Sequence, residues 1–202
     1  KLFLNSINNI AQPTPPIWFM RQAGRYHNHY REFKKKHTFE DLCKNPELSS
    51  EVACGPVSEF DFDVAILFSD ILFILEGLGL SLKFDPGPIF AEEINSNNAH
   101  KFNDIEKAIS HLEFQKEAIQ LTRGKLSNNK SLIGFVGGPY TLLKYAIGKN
   151  NKAILQNDSF EIDFLKNTLV PLLIKNIELQ LQAGAEIVMI FDSGLSDIDA
   201  VD

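Results

Sequence analysis

At 202 residues, 44% hydrophobic and 23% charged, the chain has the make-up of a soluble globular protein, long enough to bury roughly 70% of its unfolded surface. A net charge of −6 argues against nucleic acid as the main partner and makes any anion site a local basic pocket in an acidic field. The two cysteines, Cys43 and Cys54, show no Cys-x-x-Cys spacing, which points to a reducing, cytoplasmic setting and gives no zinc signature. Apolar runs reach only about five residues against the roughly 20 needed to span a bilayer, so no membrane partner is expected. Lys1–Ile10 carries no secretory signal. A start without Met and a stop at Asp202, just after a site-like motif, read as truncation at both ends.

In chain order, the first predicted strand is Ile17–Met20, an apolar run leading into Arg21. A helix follows within Pro46–Phe60, then a strand at Val64–Phe68. Leu80–Phe90, with Asp85-Pro86-Gly87-Pro88 inside it, reads as an extended excursion with a turn. Asp104–Leu126 is predicted to be one helix: Asp104 can cap it, Ile105, Ala108, Ile109, Leu112, Ile119 and Leu126 recur near helical spacing, and Gly124 suits a left-handed end. Leu132–Val136 is the third strand and Lys149–Lys152 a polar loop. Asp158–Ala183 is a third helix, opened by a capping box of Asp158 and Glu161 and kinked or split by Pro171. Ile187–Phe191 is the fourth strand. All four strands are apolar throughout, as expected of parallel strands covered on both faces. Alternating strands and helices imply a parallel α/β architecture. Four strands spread over about 190 residues suit a (β/α)8 TIM barrel with insertions, of which residues 1–202 would form the first half as a single domain.

Barrel enzymes carry their chemistry on the loops after strands. Here those loops begin Arg21–Arg25, Ser69-Asp70, Gly137-Gly138-Pro139-Tyr140 and Asp192-Ser193. Two guanidiniums four residues apart, with Gly24 allowing close backbone approach, form a clamp for carboxylates or phosphates; structural ion pairing at a helix start is the plainer alternative. Asp70 offers a carboxylate at a strand's end, able to stabilise a cation formed in reaction, unless Ser69 or Asp70 merely caps the next helix. Tyr140 and Tyr145 read as packing residues, and Asp192-Ser193 as a cap or a hydrogen-bond donor to a carboxylate. His27 and His29 lack a third ligand, so they are expected to be exposed rather than metal-bound. Cys43 and Cys54 are expected to be small buried residues and Lys34–Lys36 a solvated face. No phosphate-binding or dinucleotide-binding loop is present.

Three stretches together are specific. PIWFMRQAGRY (Pro16–Tyr26), the run from Ile66 to Leu72 (ILFSDIL) and GFVGGPYTLLKY (Gly134–Tyr145) resemble, in order and spacing, the signatures of the uroporphyrinogen decarboxylase family, with Tyr140 where Trp is also common. The resemblance runs from about Pro16 to Ser193. It implies a (β/α)8 barrel, a homodimer, and removal of four acetate carboxyl groups from uroporphyrinogen III to give coproporphyrinogen III, without metal or organic cofactor. By that resemblance Arg21 and Arg25 hold substrate carboxylates, the Arg21-Gln22-Ala23-Gly24-Arg25 backbone lines the pocket, and Asp70 accepts from the pyrrole N–H groups. Tyr145 and Ser193 would contact substrate from later loops. The family's histidine in a C-terminal Gly-rich segment has no counterpart among His27, His29, His37, His100 and His111. Two other readings are a non-catalytic remnant, and a related barrel methyltransferase acting on a corrinoid or thiol. The second would carry zinc-ligand His and Cys late in the chain and lack the paired arginines. A four-stranded half barrel would expose an edge after Ile187–Phe191, so residues 1–202 alone are expected to be unstable or inactive.

Overall fold

The computed structural model describes residues 1–148 and 159–197. In chain order its helices begin with α1 (Leu2–Ile7), α2 (Asn28–Lys34), α3 (Phe39–Lys44) and α4 (Pro46–Phe60). Strand β1 (Val64–Ile66) and helix α5 (Phe73–Gly77) follow, then β2 (Leu82–Phe84) and β3 (Pro88–Phe90). Next come α6 (Ile105–His111), α7 (Glu113–Lys125), β4 (Ser131–Gly137) and α8 (Pro139–Ala146). After α9 (Phe160–Phe164) and a π-helical turn (Leu165–Leu169) come α10 (Val170–Gln182), β5 (Ile187–Phe191) and a 3-10 turn (Ser193–Asp197). The fold is mixed α/β. β1, β4 and β5 form one sheet in that order, with β1 and β4 parallel in the register Val64 to Ser131 and Ile66 to Ile133. Strands successive in this sheet are neighbours, separated by helical crossovers, the arrangement of a parallel α/β chain.

Two compact units share these elements. The first comprises Lys1–Asp70, Phe114–Phe135 and Leu179–Met189. Its main core packs Ala65 and Leu67 beside β4's Leu132, with Ala118 and Ile119 of α7 and Val57 of α4. Each fully buried Leu or Ile here contributes about 1.5–3 kcal/mol from burial. A second cluster joins Tyr30 of α2, Leu42 of α3 and Val52 of α4. The other unit comprises Ile71–Glu113, Val136–Glu178 and Ile190–Asp202. Its interior includes Phe73, Ile74, Leu75, Leu80, Ile94, Leu142 and Leu143.

Ile17–Met20 is not a strand. Three of its four residues are exposed, with Ile17 at 51%, Phe19 at 59% and Met20 at 54% of full accessibility, and Met20 already opens a turn. A strand needs a neighbour for its backbone along its whole length. Ile17 finds one only at Asp63, donating to the Asp63 side chain (2.8 Å) and accepting from its N–H (2.9 Å). Gln22 then takes the rest: its amide donates to the Val64 carbonyl (2.9 Å) and its oxygen accepts from Phe19 N–H (3.2 Å). The predicted four-stranded sheet is therefore three-stranded, and β5 is half-exposed rather than covered on both faces.

Asp104 caps its helix as predicted, accepting from Lys107 N–H at 3.0 Å. The single helix to Leu126 is instead two, because a tight turn at buried Leu112, whose N–H donates to Ile109, separates α6 from α7. Gly124 lies inside α7, not at a left-handed end. Pro171 does disturb the third helix: the five residues Leu165–Leu169 shift to π register just before it, which accommodates the missing N–H. Ser159, accepting from Ile162 N–H, caps α9; Asp158 and Lys149–Lys152 lie outside the described residues. The excursion at Leu80–Phe90 is an antiparallel hairpin pairing Leu82 with Phe90.

Candidate active site

The Arg21–Arg25 segment is a turn stitched by its own neighbours. Gln22 N–H donates to the Phe19 carbonyl (3.1 Å) and His27 N–H to the Gly24 carbonyl (2.9 Å). Gly24 lets the chain fold close: a Cβ there would meet the Arg21 carbonyl oxygen at 3.2 Å. Tyr26 hydroxyl donates to the Gln22 carbonyl. Arg31, from α2, donates to the carbonyls of Arg25 (3.1 Å) and Tyr26 (2.7 Å) and to Asn28 Oδ1 (3.1 Å). Gln22 is buried, while Arg21 and Arg25 are exposed. Among the described residues neither arginine is ion-paired, so structural pairing does not account for them. Beside the turn a cavity of about 380 Å³ is lined by Phe19, Arg21, Gln22, Tyr26, Phe60 and Phe62.

Asp70 lies in the same unit, half-buried, four residues beyond the end of β1. α5 starts at Phe73 with Leu72 at its N-cap, so neither Ser69 nor Asp70 is the residue that caps it. Ser49 hydroxyl donates to the Phe68 carbonyl (2.8 Å) and Gln115 amide to Ser69 Oγ (3.1 Å). Ala23 from the arginine turn and Phe68 from this turn both pack on the Tyr30–Leu42–Val52 cluster. The two turns thus share one foundation. Electrostatics trace the same wall. Burial first, and then the Asp70 charge, push the Cys43 thiol well above its ordinary range. Burial and Cys43 raise Tyr30, against a smaller opposing pull from Arg25.

Cys43 is buried as expected; Cys54 is only partly so, with its thiol pushed up to about 11, chiefly by burial. Neither thiol is an activated nucleophile. His27 is not exposed: it is 2% accessible, and its Nε2 meets Glu59 at 2.7 Å. Its ring lies 5.5 Å from that of half-buried His29, whose pKa falls through burial and then through His27. No group of three or more His, Cys, Asp or Glu side chains among the described residues is placed to share a metal ion. Lys34, Lys35 and Lys36 form a solvated face.

Tyr145 and Ser193 belong to the second unit. Tyr145, on α8, is half-buried, its ring edge-on to Phe90 with centroids 6.5 Å apart. Ser193 is exposed and opens the last 3-10 turn, which packs against α8. Asp192 caps α8 from the end of β5: one carboxylate oxygen accepts from Thr141 N–H (2.8 Å) and Thr141 hydroxyl (2.7 Å). Thr141 Oγ1 accepts in turn from Gly194 N–H (2.8 Å), tying the residue after Ser193 to the same point. Gly138 is required here for close approach, since a Cβ would overlap the Asp192 side chain. Tyr140 is buried packing.

Sequence reasoning passed over Ser49, Gln115, Arg31 and the Asp192–Thr141 pair. Gln115 alone left a trace, as an amide three residues after Leu112 and four before Ile119 on an apolar helical stripe.

The chain matches the family model for uroporphyrinogen decarboxylase over residues 1–201. A Helicobacter pylori (strain Shi470) protein named uroporphyrinogen decarboxylase is 42% identical over 98% of this chain and 61% of its own length. One from Campylobacter lari, of the same name, is 37% identical with the same two coverages. The chain therefore spans about 61% of the length of these curated relatives. Among solved structures, a methyltransferase from Methanosarcina mazei superposes with a TM-score of 0.63 at 17% identity, over 80% of this chain and 52% of that one, a likeness of fold alone. Matched over residues 1–201, with relatives of that name at about 40% identity, the chain belongs to the uroporphyrinogen decarboxylase family.

Proposed function

We propose that the protein containing this chain decarboxylates the four acetate side chains of uroporphyrinogen III to coproporphyrinogen III, a step of porphyrin biosynthesis. Two exposed arginines with no ion-pair partner among the described residues, on a turn that shares its foundation with Asp70, carry this reading. The substrate bears eight carboxylates, so an arginine clamp is expected even on a chain of net charge −6. Protonation of a pyrrole carbon makes the ring an electron sink. The C–CO₂ bond then breaks with its electrons flowing into that cation, and CO₂ leaves; the exocyclic methylene that remains takes up one proton to become a methyl group while the pyrrole carbon gives back its own, so each turnover consumes one proton per carboxylate lost. The ring itself supplies the sink, so neither metal nor organic cofactor enters the proposal.

In this reading Arg21 and Arg25 grip substrate carboxylates, and the Gln22-Ala23-Gly24 backbone lines the pocket. Asp70 accepts from the pyrrole N–H groups and stabilises the cation. Tyr145 and Ser193 contact substrate from their own loops. A guanidinium holds its proton too tightly to be a ready general acid, so the proton donor is assigned to neither arginine. We further propose that β1, β4 and β5 are successive strands of a (β/α)8 barrel, supported by their sequential order in the sheet, and that the whole protein is a cytoplasmic homodimer. Two free cysteines accord with a reducing compartment. No helix of the described residues is long and apolar enough to cross a membrane.

The test is turnover of uroporphyrinogen III by the intact protein under anaerobic conditions, following CO₂ and coproporphyrinogen III. The expected result is four CO₂ per ring with no added metal. Absence of turnover in well-folded protein would refute the assignment.

A further inference from the structure

Two helices flanking β1 each send a buried polar side chain to the turn that carries Asp70. Ser49, on α4, holds the Phe68 carbonyl at 2.8 Å, and Gln115, on α7, holds Ser69 Oγ at 3.1 Å. Both are buried, Gln115 at 3% accessibility. Gln115 does not act alone. Its oxygen accepts from the amide of Gln180 at 3.4 Å, and Gln180 is fully buried on α10. Gln180 then spans the backbone of Phe135 on β4, donating to its carbonyl and accepting from its N–H, each at 2.9 Å. Gly134 makes room for this, because a Cβ there would collide with Gln180 Oε1.

A buried amide costs free energy unless its hydrogen bonds are made, and an apolar side chain would fill this stripe between Leu112 and Ile119 at no such cost. What the amide adds is direction. It is fixed at its oxygen by a residue locked to the sheet, and it fixes in turn the residue immediately before Asp70. A carboxylate that stabilises a transient cation must be aimed before the charge develops, because reorganising it during reaction forfeits the gain.

We propose that Gln115 is a positioning residue for Asp70, acting through Ser69 and oriented by Gln180. The proposal rests on the decarboxylase reading above, in which Asp70 meets the pyrrole cation. A displacement of about 1 Å can cost on the order of 100-fold in rate, so loss of one such brace is expected to cost roughly tenfold.

The test is a double-mutant cycle in the intact protein, with uroporphyrinogen III as substrate. Gln115→Leu keeps the volume and removes both hydrogen bonds. Alone it should lower kcat about tenfold while KM stays within about twofold. Added to Asp70→Asn, it should lower kcat by less than about twofold, because the group it positions is already gone. An equal loss in both backgrounds, or no loss in either, overturns the proposal. Should Gln115→Leu fail to fold, Ser69→Ala removes the acceptor of the same bond and runs through the same cycle with the same expectations. Absence of turnover by the unaltered protein overturns the decarboxylase reading and this inference with it; turnover with multiplicative losses overturns the inference alone.

Discussion

The arginine turn and the Asp70 turn rest on the same Tyr30 cluster, yet their side chains are held differently. Around Arg21 and Arg25 the bracing falls on the backbone: Arg31, Tyr26 and His27 all satisfy or use main-chain groups, and the two guanidiniums stay exposed. Around Asp70 the bracing comes from buried Ser49 and Gln115, and the carboxylate is half-buried. The difference matches what the proposed reaction asks of each group. A guanidinium that captures carboxylates works at range through its charge and keeps its rotamer freedom until the partner arrives. A carboxylate that serves a short-lived cation must already be in place.

The largest expected effect breaks the Asp70 side of this contrast. In the intact protein Asp70→Asn keeps the shape and removes the charge. Turnover should fall by about 10²–10³, as when one preorganised group of an electrostatic site is lost, while substrate affinity by titration changes little. Wild-type-like turnover would remove Asp70 from its role.

The arginine side should fail in the opposite parameter. Arg21→Ala or Arg25→Ala should each weaken substrate binding by about 1.5–3 kcal/mol, with KM rising more than kcat falls. Replacement by Lys should recover only part of this, because a point charge cannot form the paired bonds of the guanidinium. Raised salt should reduce the wild-type advantage. If kcat falls and KM holds, these residues serve the chemistry and the contrast collapses.

Gln22 tests how the arginine turn is seated. Gln22→Leu leaves the Val64 carbonyl without its amide donor and Phe19 N–H without its acceptor, at a cost of about 1–3 kcal/mol. Chemical denaturation should show the loss in midpoint with an unchanged slope.

The smallest effect concerns pH. His29 is held below its ordinary pKa, first by burial and then by His27. The folded state therefore binds fewer protons than the unfolded state as pH falls below about 6.5, and stability declines through that window. Above it the His29 contribution is fully retained. Melting temperature should fall from pH 7 toward pH 5, and His29→Gln should flatten the slope. An identical slope in the variant would assign the acid sensitivity to other groups.

Much of this was legible from local pattern. Val64, Leu132 and Ile187 open apolar runs that do become the sheet, and Asp104 caps its helix as its position before Ile105 foretold. The paired arginines lie on a turn, as the Gly24-containing segment implied. Ile17–Met20 misled, because its apolar order looks like a buried strand while its backbone is met only by Asp63 and by a side chain, Gln22, whose reach to Val64 spans 42 positions. His27 misled likewise: a polar residue beside two arginines reads as exposed, and only the packing of α4 brings Glu59 to it. Nor does any local pattern show why Gly138 is glycine: it admits Asp192, more than fifty positions away.

By itself, then, the sequence settled the family, the alternation of strands and helices, and the chemical types offered at the strand ends. Those properties are written in short-range order: a signature of eleven residues, a hydrophobic period, a cap three residues before its partner. The tertiary structure decided which apolar run found a backbone neighbour, which polar side chains went inside, and how Asp70 is held. These depend on groups far apart in the chain whose hydrogen bonds must be satisfied together once water is excluded. No local pattern specifies a partner at position 115 for a serine at 69 or one at 180 for the amide between them.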